Sequence, residues 1–207
     1  MPEFVDEVIV VNNNSTDNTA EVAAAAGATV LTETERGYGA ACLKAIEYIR
    51  CNSQKQDRKV DIVVFLDGDY SDYPEELPQV IKPIIEAGAD LVIGSRVLGK
   101  AEKGSLQPQQ RFGNWLATLL IRWRYGYDFT DLGPFRAIKF ERLILMDMKD
   151  RNYGWTAEMQ VKAAKQRLKC VEVPVSYRKR IGKSKVSGTL KGSILAGAKI
   201  LKVVLRG

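Results

Sequence analysis

The chain has 207 residues, 45% hydrophobic and 27% charged, which specifies one large folded domain with a real core and excludes a disordered chain. There is no histidine, which excludes Ser-His-Asp triads and the usual zinc centres, and the three widely spaced cysteines give no disulfide framework and suit a reducing compartment. The net charge of +6 favours anionic partners, and from Ser176 onward the chain carries Lys and Arg but no Asp or Glu.

Val8–Val11 reads as a buried strand. It runs into Asn12-Asn13-Asn14-Ser15-Thr16-Asp17-Asn18-Thr19, a loop and helix start in which Asn18 and Glu21 have capping-box spacing and Ser15, Thr16 or Asp17 could also cap. The polar cluster suits either contact with a nucleobase or ribose or a plain connecting turn. An alanine-rich helix over 19–26 stops at Gly27, and a short strand follows over 28–31. Gly37-Tyr38-Gly39 precedes a helix from Ala40 to about Arg50; glycines there can bring backbone N–H groups to a phosphate, although no full Gly-x-Gly-x-x-Gly is present. Residues 52–59 read as a polar surface loop.

Asp61-Ile62-Val63-Val64-Phe65-Leu66-Asp67-Gly68-Asp69-Tyr70 is the stretch around which the rest is organised. Its apolar run has no polar face, which predicts a buried central strand of a parallel sheet. Asp67 and Asp69 then stand at the carboxyl end, where open α/β sheets bind ligands, and alternation points both the same way. A divalent cation completed by substrate phosphates would offset their repulsion; a strand ending in a polar turn is the bland alternative. Asp72 is a candidate helix cap, and Pro78 and Pro83 predict a short turn and then a kinked helix to Ala87. Ala89–Ile93 reads as another buried parallel strand ending at Gly94-Ser95-Arg96, with Arg96 placed for a phosphate or simply solvated. Strand–helix–strand order repeats three times, the mark of an α/β fold.

Residues 98–110 read as an irregular, mobile loop. Phe112, Trp115, Leu116, Leu119, Leu120 and Trp123 recur at helical spacing and read mostly as core, while Arg122 and Arg124 among aromatics also suit a membrane interface. Thr130-Asp131-Leu132-Gly133-Pro134-Phe135-Arg136 is a constrained turn that would expose Asp131 and aim Arg136. Short helices over 140–147 and about 153–166 follow, with Glu158 in the first turn of the second, the normal place for a structural acid. Val171–Val175 alternates like an edge strand with Pro174. Arg178 to Gly188 is a basic, glycine-containing loop suited to phosphate capture, and residues 189–205 form a cationic amphipathic helix.

Taken in order, these motifs resemble glycosyltransferase family 2, the inverting GT-A class, and within it the dolichyl-phosphate mannose or glucose synthases and prokaryotic polyprenyl-phosphate glycosyltransferases. The runs are Val10–Asp17, Gly37–Ala41, Phe65–Asp69, Gly94–Arg96, Thr130–Arg136, Gly154–Met159 and Gly182–Lys185, across nearly the whole chain. The resemblance implies an α/β GT-A nucleotide-diphospho-sugar transferase fold with a mostly parallel central sheet flanked by helices. It implies a single domain over 1–207, with a nucleotide-sugar part to about 96, an acceptor side over about 97–188 and the amphipathic helix over about 189–205. By resemblance Asp67 and Asp69, with Ser71, hold Mg²⁺ or Mn²⁺. Asn13 and Asp17 belong to the nucleotide side, and Arg96, Arg136, Arg180 and Lys185 to donor or acceptor phosphate. Asp69, Asp131 and Glu158 are the catalytic and acceptor-side candidates. The implied reaction is metal-dependent transfer, with inversion, from a UDP- or GDP-sugar to a lipid phosphate. The enzyme would be cytoplasmic, able to contact the membrane face peripherally and to form oligomers, with no nucleic-acid partner. A soluble or polysaccharide acceptor is the alternative, and a nonenzymatic nucleotide-binding remnant is another. Relatives begin with a further strand and helix before the one matching Val8–Val11, which sets the expectation of poor or no activity for this chain.

Overall fold

A computed structural model describes residues 1–55, 59–182 and 190–206. The chain divides into two compact units, Met1–Val60 with Met148–Trp155, and Asp61–Asp147 with Thr156–Gly207.

In the first unit β1 (Ile9–Asn12), α1 (Thr19–Ala25) and β2 (Thr29–Thr32) form a βαβ unit with β1 and β2 parallel. The helix ends at Ala26 because Gly27, at φ 87°, turns the chain in the left-handed conformation that glycine adopts without steric cost. Helix α2 (Tyr38–Lys55) is longer than expected and takes in much of the polar stretch read as a loop. Its opening glycines serve packing. A Cβ on Gly39 would sit 1.9 Å from the Asp150 carbonyl oxygen, and one on Gly37 2.0 Å from that of Arg151. The Gly39 and Ala40 N–H groups donate to the carbonyls of Asn152 (3.3 Å) and Arg151 (2.9 Å). These helix-terminal donors, expected as phosphate ligands, are therefore taken by the chain itself.

The second unit is built on a sheet of β3 (Ile62–Phe65), β4 (Leu91–Ala101), β5 (Arg136–Lys139) and β6 (Cys170–Tyr177), in the order β3-β5-β4-β6. Strands β3, β4 and β6 run the same way, and β5 lies antiparallel between β3 and β4. The sheet is mostly parallel in direction, but β3 stands at one side of it rather than at its centre, and β6 is the edge strand expected from Pro174. Strand β4 does not stop at Ile93. It continues through Gly94-Ser95-Arg96 to Ala101 beside β6, with an irregularity between Ser95 and Lys100, so part of the expected mobile loop is strand.

The core follows from the apolar runs. Leu91, Val92, Ile93, Phe135, Ala137 and Ile138 are fully buried, each large aliphatic contributing about 1.5–3 kcal/mol. Helix α3 (Leu77–Ala87), preceded by a 3-10 turn at Pro74–Glu76, lies against β4 and β5, and α5 (Phe140–Met146) against β5. Helices α6 (Trp155–Lys165) and α7 (Leu190–Arg206) complete the order, with α7 packed on α4 (Pro108–Tyr125). Helix α4 corrects one expectation. Ala117, Thr118 and Ile121 face inward, whereas Phe112, Trp115, Leu119 and Trp123 are exposed, Trp123 by 76%. Among the described residues no helix is long and apolar enough to cross a membrane.

Asp90, just before β4, joins three elements. Its Oδ1 accepts from Lys139 Nζ (3.2 Å) and Arg142 Nε (3.3 Å), and its Oδ2 from the Lys169 N–H (3.0 Å). Burial opposes ionisation, but that N–H and the two cations outweigh it and hold the carboxyl below its ordinary value. A depressed folded-state pKa gives stability that is present above the unfolded value, about 3.9, and lost as pH falls through the folded one. Asp90→Asn should therefore lower the melting temperature at pH 7 and converge with the parent in acid, once the carboxyl is protonated in the folded state too. An equal gap at both pH values, in thermal melts, would show that the loss is not electrostatic.

Candidate active site

Asp67 and Asp69 follow β3 in a turn stitched to the chain leaving β6. Asp69 Oδ1 accepts from the Ser71 N–H (3.0 Å) and from the Ser71 hydroxyl, and Oδ2 accepts from Arg180 Nη2 (2.9 Å). The Asp69 carbonyl accepts the Ile181 N–H (2.9 Å), and the carbonyl of fully buried Ser71 accepts the Arg178 N–H (3.0 Å). The Arg178 guanidinium lies 3.3 Å from the Tyr70 ring centroid and 4.2 Å from that of Tyr73, and donates to the Tyr70 and Asp72 carbonyls. Tyr70 is held at φ 72°, a left-handed conformation that a bulky side chain adopts at a cost of about 1–3 kcal/mol. The start of the basic segment, expected as a loose loop, is thus an ordered clamp on the carboxylate turn.

Asp72, which sequence reasoning treated as a helix cap, caps nothing: Tyr73 takes the N-cap position without a side-chain bond. The buried Asp72 instead accepts the Asp67 N–H through Oδ2 (3.1 Å), while its Oδ1, also buried, has no hydrogen-bond partner. Burial, reinforced by the charges of Asp67 and Asp69 and opposed by the Asp67 N–H and Arg96, pushes its pKa up to about 7. No short-range signal in the sequence marks this role.

Two carboxylates and a hydroxyl are hard oxygen donors, the chemistry of Mg²⁺ or Mn²⁺. Among the described residues no three acidic, histidine or cysteine side chains form a closed cage. Such cations are ordinarily held by one or two carboxylates and completed by phosphate oxygens. A guanidinium already rests on Asp69, and Asp72 leaves a buried oxygen open, so the residues fit such a group.

The other expected site residues are engaged elsewhere. Arg96 and Asp131 form a closed fork: Arg96 Nε to Oδ2 at 2.8 Å, Nη2 to Oδ1 at 2.7 Å, and the Arg96 N–H to Oδ2 at 2.8 Å. Asp131 is 1% exposed, a correction to the expectation that its turn presents it. Glu172 accepts the Thr130 and Asp131 N–H groups, and Gln160 Nε2 donates to the Asp131 carbonyl (3.0 Å). Arg96 also lies 5.0 Å from the Tyr177 ring centroid, and despite burial the adjacent Asp131 raises its pKa, so it stays charged and committed. Arg136 is fully buried, donating to the carbonyls of Gly133, Leu132 (3.2 Å) and Thr156 (3.1 Å). Glu158 pairs with Lys162 one turn on (2.8 Å).

On the first unit, Asn13 is consumed by its own chain. Its Nδ2 donates to the Glu33 (3.0 Å) and Glu35 (2.6 Å) carbonyls, and its Oδ1 accepts the Gly37 N–H (2.9 Å). Both amide hydrogens and one lone pair of the amide oxygen are thus engaged within the chain. Asp17 accepts from the Thr19 N–H (3.1 Å) and hydroxyl at the start of α1, while Asn18 makes no capping bond. Lys185 lies outside the described residues.

Comparison with known proteins supplies the family. The model described as glycosyl transferase family 2 matches residues 2–144. An uncharacterised glycosyltransferase of Mycobacterium tuberculosis is 36% identical over 198 residues, covering 95% of this chain and 85% of that protein. A dolichyl-phosphate hexose transferase of Haloferax volcanii is 32% identical, covering 96% of this chain and 81% of that one. Among solved structures, glucosyl-3-phosphoglycerate synthase of M. tuberculosis with Mn²⁺, UDP-glucose and phosphoglyceric acid superposes with a TM-score of 0.66 at 22% identity, over 98% of this chain and 68% of that one. These neighbours bear out the α/β GT-A fold, but they do not single out the polyprenyl-phosphate branch. The lipid-phosphate acceptor expected from the sequence is corrected by the solved structure alone, a synthase held with phosphoglyceric acid, whereas the Haloferax relative is named for a dolichyl phosphate. The chain belongs to glycosyl transferase family 2 and is a glycosyltransferase.

Proposed function

We propose that the chain transfers a sugar from a UDP-sugar to a small, soluble, phosphorylated acceptor, with Mg²⁺ or Mn²⁺ held by Asp67 and Asp69. The observation that carries this is the turn itself: two carboxylates at the end of β3, steadied by Ser71 and faced by Arg178 and Arg180. The M. tuberculosis synthase with Mn²⁺, UDP-glucose and phosphoglyceric acid supports the choice of metal, donor and acceptor class.

A bound cation would offset the charge that builds on the departing diphosphate. The chain's own residues do the rest. Ser71 fixes Asp69 through two hydrogen bonds to Oδ1, so the carboxylate is oriented before a ligand arrives. Arg180, resting on Asp69, exchanges that partner for the diphosphate. Asp131 and Glu158, each held by a cation, Arg96 and Lys162, act as positioning groups on the acceptor side.

The test is an incubation with Mn²⁺, UDP-glucose or GDP-mannose, and a panel of soluble acceptors that includes 3-phosphoglycerate, read by UDP or GDP release and by product mass. Acceptor-dependent UDP release that EDTA abolishes is the expected result, and robust turnover would also overturn the expectation of poor or no activity. Absence of transfer to any soluble phosphorylated acceptor overturns the reading.

A further inference from the structure

Asp72 is a buried acid with too few partners. Its residue is 3% exposed, Oδ2 accepts one backbone N–H, and Oδ1 accepts none. Buried polar atoms are normally satisfied, and a buried carboxylate is costlier to leave open than a neutral group. Holding the Asp67 N–H alone would need only a serine or an asparagine. Instead a third carboxylate stands within electrostatic reach of Asp67 and Asp69, where it repels both. Arg96, the cation whose charge reaches it, is locked in the fork with Asp131. The Asp72 main chain is anchored as well. Its carbonyl accepts Arg178 Nη2 (3.2 Å), and its backbone bridges to Tyr177. Such an arrangement makes sense when a hydrated cation arrives.

We infer that Asp72 is a positioning residue of the metal turn: Oδ2 pins the backbone of Asp67, and Oδ1 accepts a hydrogen bond from a water on the cation. This deepens the proposed function and rests on its metal. Reach through water follows from the chemistry of the ion: Mg²⁺-type cations keep several waters, and carboxylates outside the coordination sphere orient them.

The test is Asp72→Asn, read by Mn²⁺ affinity in the presence of UDP, from the free-ion electron paramagnetic resonance signal. Melting in EDTA is measured alongside. The amide oxygen still accepts the Asp67 N–H, but the second atom becomes a donor and meets the water's hydrogens. Mn²⁺ affinity should fall by about 10–100-fold, while the melting temperature is kept or raised. Unchanged Mn²⁺ affinity in a folded Asp72→Asn protein would overturn the inference. Should that variant not fold, Asp72→Ser, which keeps an acceptor for the same N–H, is read the same way. A parent protein that binds UDP but no Mn²⁺ removes the metal reading and this inference together. A parent that binds Mn²⁺ with a variant that binds it equally well removes the inference alone.

Discussion

Replacing Arg96 with alanine should destabilise the protein by about 3–5 kcal/mol and lower its melting temperature by roughly 6–20 °C. The size follows from what is left behind. The Asp131 side chain is 1% exposed and that of Arg96 13%, so each charge has been taken out of water and is compensated almost entirely by the other. Without the guanidinium, Asp131 keeps only the residue-96 N–H as an acceptor contact among these bonds, and its second oxygen is stranded. Breaking a buried pair from one side costs far more than exchanging both partners for apolar groups of similar volume. The double variant Arg96→Met with Asp131→Leu should therefore recover much of the loss. Urea melts of the parent, Arg96→Met, Asp131→Leu and the double variant close the cycle. Additive losses would show that the fork contributes no coupling, and that each side chain acts through separate contacts.

That pair illustrates what the sequence could reveal and what it could not. Periodicity located β1, β2, β3, β6 and the helices, because a strand or helix that buries one face writes its spacing into neighbouring residues. Arg96 and Asp131 are 35 positions apart, and nothing local says that they meet. Strand β5 was missed for a similar reason. Arg-Ala-Ile-Lys is too short and too charged to read as buried, yet Arg136 is satisfied by carbonyls of Leu132, Gly133 and Thr156, a compensation supplied by distant chain. On α4 the helical period was legible but its inward side was not. Ala117, Thr118 and Ile121 pack inward and the aromatics point out, the reverse of what the aromatic stripe suggests. The aspartates after β3 were found because a chemical motif at a strand end is a local pattern. Their tie to Arg178 and Arg180, more than a hundred residues on, depended on β6 ending where it does.

Asp69→Ala should reduce kcat/KM by about 10³-fold while moving the melting temperature by only a few degrees, the opposite profile to Arg96→Ala. The Asp69–Arg180 pair is partly exposed, with side chains 23% and 34% accessible, so solvent screens it and its loss costs under about 1 kcal/mol. The bonds from Ser71 are local and shared with a turn that Arg178 clamps independently. Activity is another matter. Removing the carboxylate takes away the charge that would hold the cation against the departing diphosphate, an interaction that strengthens as the sugar leaves. Asp69→Asn separates the two roles. It keeps an oxygen for the Ser71 N–H but loses the negative charge, so it should melt like the parent and still be nearly inactive. Raising Mn²⁺ should not restore it. An Asp69→Asn protein with near-parental turnover would leave the turn as a structural element and sink the metal assignment; an inactive but fully folded one ties the chemistry to that single charge.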